Sequence, residues 1–173
     1  AVALGAKILL IVPTHSLIGQ AHEDAWERLV DNIANICEYC SQYDINLAIE
    51  PANREVTDLV NTTADALRVL EAVGNDALGV VLDTGHVHLS AEIPQQTVDR
   101  LNKRLLQVHL NDNDGKHQQN LLPGEGTFDF AGFISVLRTN DYDGFLTAEL
   151  GWTYTRDPVP TVKRMAQIMR ALL

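Results

Sequence analysis

Residues 78–86 read Leu-Gly-Val-Val-Leu-Asp-Thr-Gly-His. A short, continuous apolar run bounded by a turn is the mark of a strand buried on both faces, as in a parallel sheet. Its ending is the unusual part. A carboxylate, Asp83, stands directly on the end of an apolar strand, where burying it unpaired would cost more than a core contact returns. The same pattern recurs along the chain. Lys7–Val12 (KILLIV) stops at Pro13, and Asn46–Glu50 (NLAIE) ends in a carboxylate before Pro51. Leu105–Leu110 (LLQVHL) carries His109, and Phe145–Leu150 (FLTAEL) carries Glu149.

Between these runs the apolar period changes from that of a strand to that of a helix. Trp26, Leu29, Val30, Ile33, Ile36, Cys37 and Cys40 recur at three- and four-residue steps, predicting a helix over about Glu23–Tyr43. Thr62 with Asp65 forms a capping box ahead of Leu67, Val69, Leu70 and Val73, and Gly74 is placed to end that helix. Asp129 caps a helix through Phe133, Val136 and Leu137, and Thr161–Leu172 is amphipathic. A further helix is expected near Gln95–Arg104. Strands alternating with helices predict an α/β fold, a parallel sheet covered by helices. No linker, low-complexity segment or longer repeat interrupts it, so residues 1–173 are expected to form a single domain.

Bulk properties narrow the function. The chain has 173 residues, 46% of them hydrophobic and 21% charged, a globular balance. A net charge of −10 with only 13 Lys and Arg argues against nucleic acid, whose affinity depends on basic side chains. No apolar stretch has the length of a membrane span. A cytoplasmic location is expected. Cys37 and Cys40 make a C-x-x-C with no second pair to complete a zinc site, and they fall within a helical pattern. Buried or half-buried free thiols are the simpler reading, against a redox role.

Glu50, Asp83, His109 and Glu149 all lie at the C-terminal ends of strands, which in a parallel barrel open on one face. Each has an ordinary alternative: Glu50 a solvated strand end, Asp83 a cap for the turn at Thr84 and Gly85, His109 a satisfied core histidine. One divalent cation accounts for all four together. Three carboxylates and an imidazole suit Mn²⁺, Mg²⁺ or Co²⁺, with Mn²⁺ the leading choice and Zn²⁺ a further one. His117 and Trp152 follow ligand-bearing strands and are candidates for contact with substrate, against a solvated loop position and plain loop packing. His15 follows the first strand as a weaker candidate, and His88 is expected to pack or face solvent. Gly124-Glu-Gly126 lacks the spacing and Lys of a phosphate loop and reads as a turn.

Together these segments resemble the xylose isomerase-like barrel superfamily, which includes ketose 3-epimerases, hydroxypyruvate isomerases, inosose dehydratases and apurinic endonucleases. The resemblance is carried by Glu50-Pro-Ala-Asn-Arg54 with Asn61-Thr62, Leu82-Asp-Thr-Gly-His86, Val108-His-Leu-Asn-Asp-Asn-Asp-Gly115, Pro123-Gly-Glu-Gly126 and Ala148-Glu149-Leu150. It implies a (β/α)₈ TIM barrel with Glu50, Asp83, His109 and Glu149 as metal ligands. Glu50 and Glu149 would also be the catalytic acid–base pair, and His86 would hold a substrate oxygen. The Glu-Pro-x-Asn-Arg segment is most similar to the ketose 3-epimerase branch.

The implied reaction is sugar isomerisation or epimerisation by proton abstraction beside a carbonyl, through a metal-stabilised enediolate. An inosose-type dehydratase and a non-catalytic sugar-binding barrel are the alternatives. Two departures from the family pattern stand out. Gly115 occupies a place where those epimerases usually carry an Arg, which bears on contact with the far end of a ketohexose. Gln118 and Asn120 stand where the endonucleases have additional zinc ligands, which weighs against that branch. The five strands correspond to strands four to eight of the barrel, with Lys7–Val12 as the fourth and Ala1–Gly5 ending the helix before it. The expectation is therefore a partial barrel, from a longer chain or with a second copy in a homo-oligomer covering its open side.

Overall fold

The apolar runs form strands and the amphipathic stretches form helices. In the computed structural model, which describes Ala1–Leu173, five strands carry the framework: β1 (Ile8–Ile11), β2 (Asn46–Ile49), β3 (Leu78–Asp83), β4 (Leu105–Leu110) and β5 (Phe145–Ala148). The helices are α1 (His22–Ser41), α2 (Thr63–Val73), α3 (Thr84–Leu89), α4 (Pro94–Leu101), α5 (Phe130–Thr139) and α6 (Pro158–Leu172). The strands make one open five-stranded sheet in chain order, from β1 to β5. Pairing is parallel, with Leu9 opposite Leu47, Ile49 opposite Val80 and His109 opposite Thr147. Parallel neighbours need a connection that returns the chain to the starting end, and the helices supply it. The result is the expected half-barrel of βα units.

The chain divides into two compact units, Ala1–Leu82 with Lys103–Leu106, and Asp83–Asn102 with Gln107–Leu173. In the first, α1 packs on β2 and α2. Its buried positions Ala25, Ile33, Cys37 and Cys40 keep the helical spacing read from the sequence. Leu47, Ala48 and Ile49 of β2 are fully buried. Both cysteines are free and buried. Burial, with a smaller effect of Cys40, pushes the Cys37 thiol up, keeping it protonated and inert. The capping box is reciprocal: Thr62 Oγ1 accepts the Asp65 N–H at 3.2 Å, and Asp65 Oδ2 accepts the Thr62 N–H at 3.0 Å. Gly79 is required by close packing, since a Cβ there would lie 2.4 Å from Leu106 Cγ.

The second unit is built around aromatic contacts. Phe128 meets Phe130, Phe133 and His88 edge-on at centroid distances of 4.9, 5.6 and 5.6 Å. Helix α5 packs between α4 and α6, and Asp129 Oδ1 caps it by accepting the Gly132 N–H at 2.9 Å. At the sheet edge, β5 is largely exposed, with Phe145 76% accessible.

Some helix boundaries differ from expectation, and one helix is additional. Helix α4 stops at Leu101, and Asn102, at φ 47°, turns the chain into a short 3₁₀ turn ending at Arg104. Helix α6 starts at Pro158 rather than Thr161, because proline is well tolerated in a first helical turn. The short α3 was not expected at all. No helix is long and apolar enough to cross a membrane.

Candidate metal centre

The ends of β2, β3, β4 and β5 each deliver one polar side chain. Glu50 follows β2, where its N–H donates to the Ile11 carbonyl at 3.0 Å, and its residue is only 3% exposed. Asp83 ends β3 at 2% exposure, and His109 lies near the end of β4 at 8%. Glu149 follows β5, its N–H donating to the Leu110 carbonyl at 3.1 Å, and its side chain is about half accessible. One ligand atom from each of Glu50, Asp83, His109 and Glu149 lies within 4.8 Å of all the others. Charges this close are strongly coupled.

Asp83 does two jobs. Its Oδ1 accepts the His86 N–H at 2.8 Å, which makes it the N-cap of α3, while its Oδ2 accepts from Asn111 Nδ2 at 2.5 Å. The capping alternative raised for Asp83 therefore coexists with its place in the cluster. His109 is held at both nitrogens. Nδ1 lies 2.9 Å from Glu149 Oε2, and Nε2 lies 3.1 Å from the Gln107 amide nitrogen, which also donates to Thr147 Oγ1.

The hydrogen bond from His109 holds the Glu149 carboxyl below the usual carboxylate range, against the upward push of its partial burial. The charges of His109 and His86 and a hydrogen bond with Asp83 act in the same downward direction. Three carboxyl groups and an imidazole brought this close together form a donor set suited to a hard or borderline divalent cation. The residues present therefore fit a metal ion.

The other candidates are placed differently. His86 sits half-buried on α3 and acts electrostatically on Glu149. His117 spends its hydrogen bonds on Asp114, with Nδ1 2.9 Å from Oδ2 and its N–H 2.8 Å from Oδ1. Those bonds and the Lys116 N–H hold the Asp114 carboxyl far below its usual range. Trp152 is 89% exposed in a short turn after β5. His15 is exposed, its Nε2 3.4 Å from the Arg54 carbonyl. His88 packs on Phe128 as expected. Asn120 donates to the Glu149 carbonyl at 3.4 Å and so steadies the backbone at the end of β5.

Sequence reasoning gave no role to Asn111, Asp112 and Asn113, three consecutive polar residues each no more than 2% exposed. The Asp112 carboxylate accepts the backbone N–H groups of Asn113, Gly124, Gly126 and Phe128 at 2.9–3.1 Å. It thereby winds the Pro123–Gly126 loop around itself. A run of polar residues placed directly after a buried strand was the available signal, since such groups stay buried only when fully bonded.

Residues 1–172 match the xylose isomerase-like TIM barrel family, and the chain belongs to it. A fructoselysine 3-epimerase of Escherichia coli O157:H7 is 27% identical over 166 residues, covering 92% of this chain and 60% of that protein. An inosose dehydratase of Lacticaseibacillus casei is 24% identical over 176 residues, covering 85% of this chain and 58% of its own. The crystal structure of a 3-keto-D-glucoside 4-epimerase from E. coli matches with a TM-score of 0.83 at 20% identity. That match covers 98% of this chain and 66% of the solved one, and is a likeness of fold. The chain thus spans about 60% of the length of these two curated relatives.

Proposed function

We propose that this protein is a divalent-metal-dependent sugar isomerase or epimerase, with Glu50, Asp83, His109 and Glu149 as the metal ligands. The observation that carries the reading is the convergence of those four side chains to within 4.8 Å. A bound ion, Mn²⁺ foremost among Mn²⁺, Mg²⁺, Co²⁺ and Zn²⁺, would supply Lewis acidity toward the substrate carbonyl and its neighbouring oxygen.

The protein's own residues carry the proton chemistry. One of Glu50 and Glu149 removes the proton from the carbon beside the carbonyl, and the other returns a proton from the opposite face. The two environments differ, Glu50 being buried and Glu149 half-accessible, and such a difference lets two carboxyls hold opposite protonation states. His86, one turn beyond Asp83, donates a hydrogen bond to the oxygen that gains charge. His117 and Trp152 belong to the substrate side of the same reading. The partner is a sugar or sugar-derived small molecule, a choice supported by the relatives' names, and the proposed setting is the cytoplasm.

Dehydration of a cyclic polyol ketone is the second reading, favoured by the inosose dehydratase match. One experiment tests both. The Mn²⁺-loaded protein is incubated in deuterated water with a panel of ketoses and inososes, and deuterium uptake is followed by NMR. Exchange with retention of the carbon skeleton and appearance of an epimer or aldose supports the proposal. Loss of water from an inosose selects the alternative, and absence of exchange across the panel refutes both.

A further inference from the structure

We infer that Asn111 is a positioning residue which orients the Asp83 carboxylate for the ion, and that Gly85 is glycine in order to make room for it. The inference rests on the proposed metal site and deepens it. Asp83 has two oxygens, and each is anchored within this part of the fold. Oδ1 is bound by the backbone N–H of His86 at 2.8 Å, and Oδ2 by Asn111 Nδ2 at 2.5 Å. Between them these bonds set both the tilt and the rotation of the carboxylate, which a terminal sp³–sp² torsion would otherwise leave broad.

Asn111 is itself fixed at three points. Its backbone N–H donates to Thr84 Oγ1 at 3.0 Å, and its carbonyl accepts from the same hydroxyl at 2.7 Å. Its side-chain oxygen lies where a Cβ on Gly85 would stand, 2.0 Å from that position. Gly85 is within α3 with no positive φ, so alanine is locally acceptable there and in a helix is preferred. What glycine contributes is space for the Asn111 carboxamide. The amide oxygen faces that space, and the amide nitrogen is left to face Asp83.

Partners of this kind, one step removed from the ion, typically change metal affinity by about 10–100-fold when lost. The test measures Mn²⁺ affinity by titration calorimetry for wild type, Asn111→Ala, Gly85→Ala and Asn113→Ala. Asn113 is equally buried but its amide donates to the Gly85 carbonyl at 3.0 Å rather than to a ligand side chain. Expected are losses of roughly 10-fold or more for Asn111→Ala and Gly85→Ala, with Asn113→Ala within a few-fold of wild type despite lower thermal stability. The visible spectrum of the Co²⁺-loaded protein should change in the first two variants and not in the third.

In ¹⁵N-labelled wild-type protein, one Asn111 side-chain amide proton should be downfield and slow to exchange, a readout that needs no variant. Wild-type affinity in Gly85→Ala, or equal losses in all three variants, overturns the inference. A wild-type protein that takes up none of Mn²⁺, Mg²⁺, Co²⁺ and Zn²⁺ overturns the proposed function along with it.

Discussion

In the proposed reaction, Glu149 is the residue where acid–base chemistry and the metal site meet. Replacing it with Gln keeps its size while removing both a base and a charged ligand. Glu149→Gln should lower turnover by at least about 10²-fold while leaving the far-UV circular dichroism unchanged; near-normal turnover would remove it from the catalytic pair. Asp112 gives the contrasting case, because its carboxylate serves four backbone donors and no ligand. Each buried donor left unsatisfied costs about 1–3 kcal/mol. Asp112→Ala should therefore be strongly destabilising in a denaturant titration. The four candidate ligands could be read from the chain because each is a charged or imidazole side chain on an apolar strand end. The roles of Asn111 and Asp112 could not, since nothing local says which of two neighbouring polar groups will face Asp83 and which the loop.

Among the elements, α2 shows how far local chemistry carries. Thr62 and Asp65 predicted the start and Gly74 the end, and both are found, Gly74 at φ 63°. Thr62→Ala should cost about 1 kcal/mol of stability by chemical denaturation, and no measurable loss would show that packing alone holds that end. The loop after β4 responds to pH. Asp114 has a depressed folded pKa, so its anchoring of Lys116 and His117 is present above the ordinary carboxylate range and fades as pH falls through the folded value. The side-chain carboxyl ¹³C resonance of Asp114 should show no protonation step down to about pH 4 and should titrate only in stronger acid. A protonation step of that carboxyl at the ordinary carboxylate value would show that the loop is not anchored through it. The short α3 escaped notice because its six residues, TGHVHL, carry no amphipathic period. It forms because Asp83 caps it.

For the whole molecule, a ligand bound only by the folded state stabilises it by mass action, about 2.7 kcal/mol at a hundredfold excess over Kd. EDTA should lower the thermal midpoint by several degrees, and Mn²⁺ should restore it. An unchanged midpoint in metal-loaded protein would count against a folded-state ion. We propose that residues 1–173 unfold as one domain. Fluorescence at Trp26, in one compact unit, and at Trp152, in the other, should then report the same transition, each followed in the protein lacking the other tryptophan. Two separate transitions would overturn that.

By itself the amino-acid sequence determined the alternation of strands and helices, the capping of α2 and α5, the burial of the cysteines and the four candidate ligands. All of these follow from periods and neighbours within a few positions of the chain. Only the tertiary structure decided that the side chains at positions 50, 83, 109 and 149 converge, that His117 turns to Asp114, and that Asn111 fills the space beside Gly85. Those outcomes depend on which strand ends are neighbours in the sheet and on atoms meeting across tens of residues. A parallel sheet brings such ends together through its helical crossovers, and no local pattern records the distance between them.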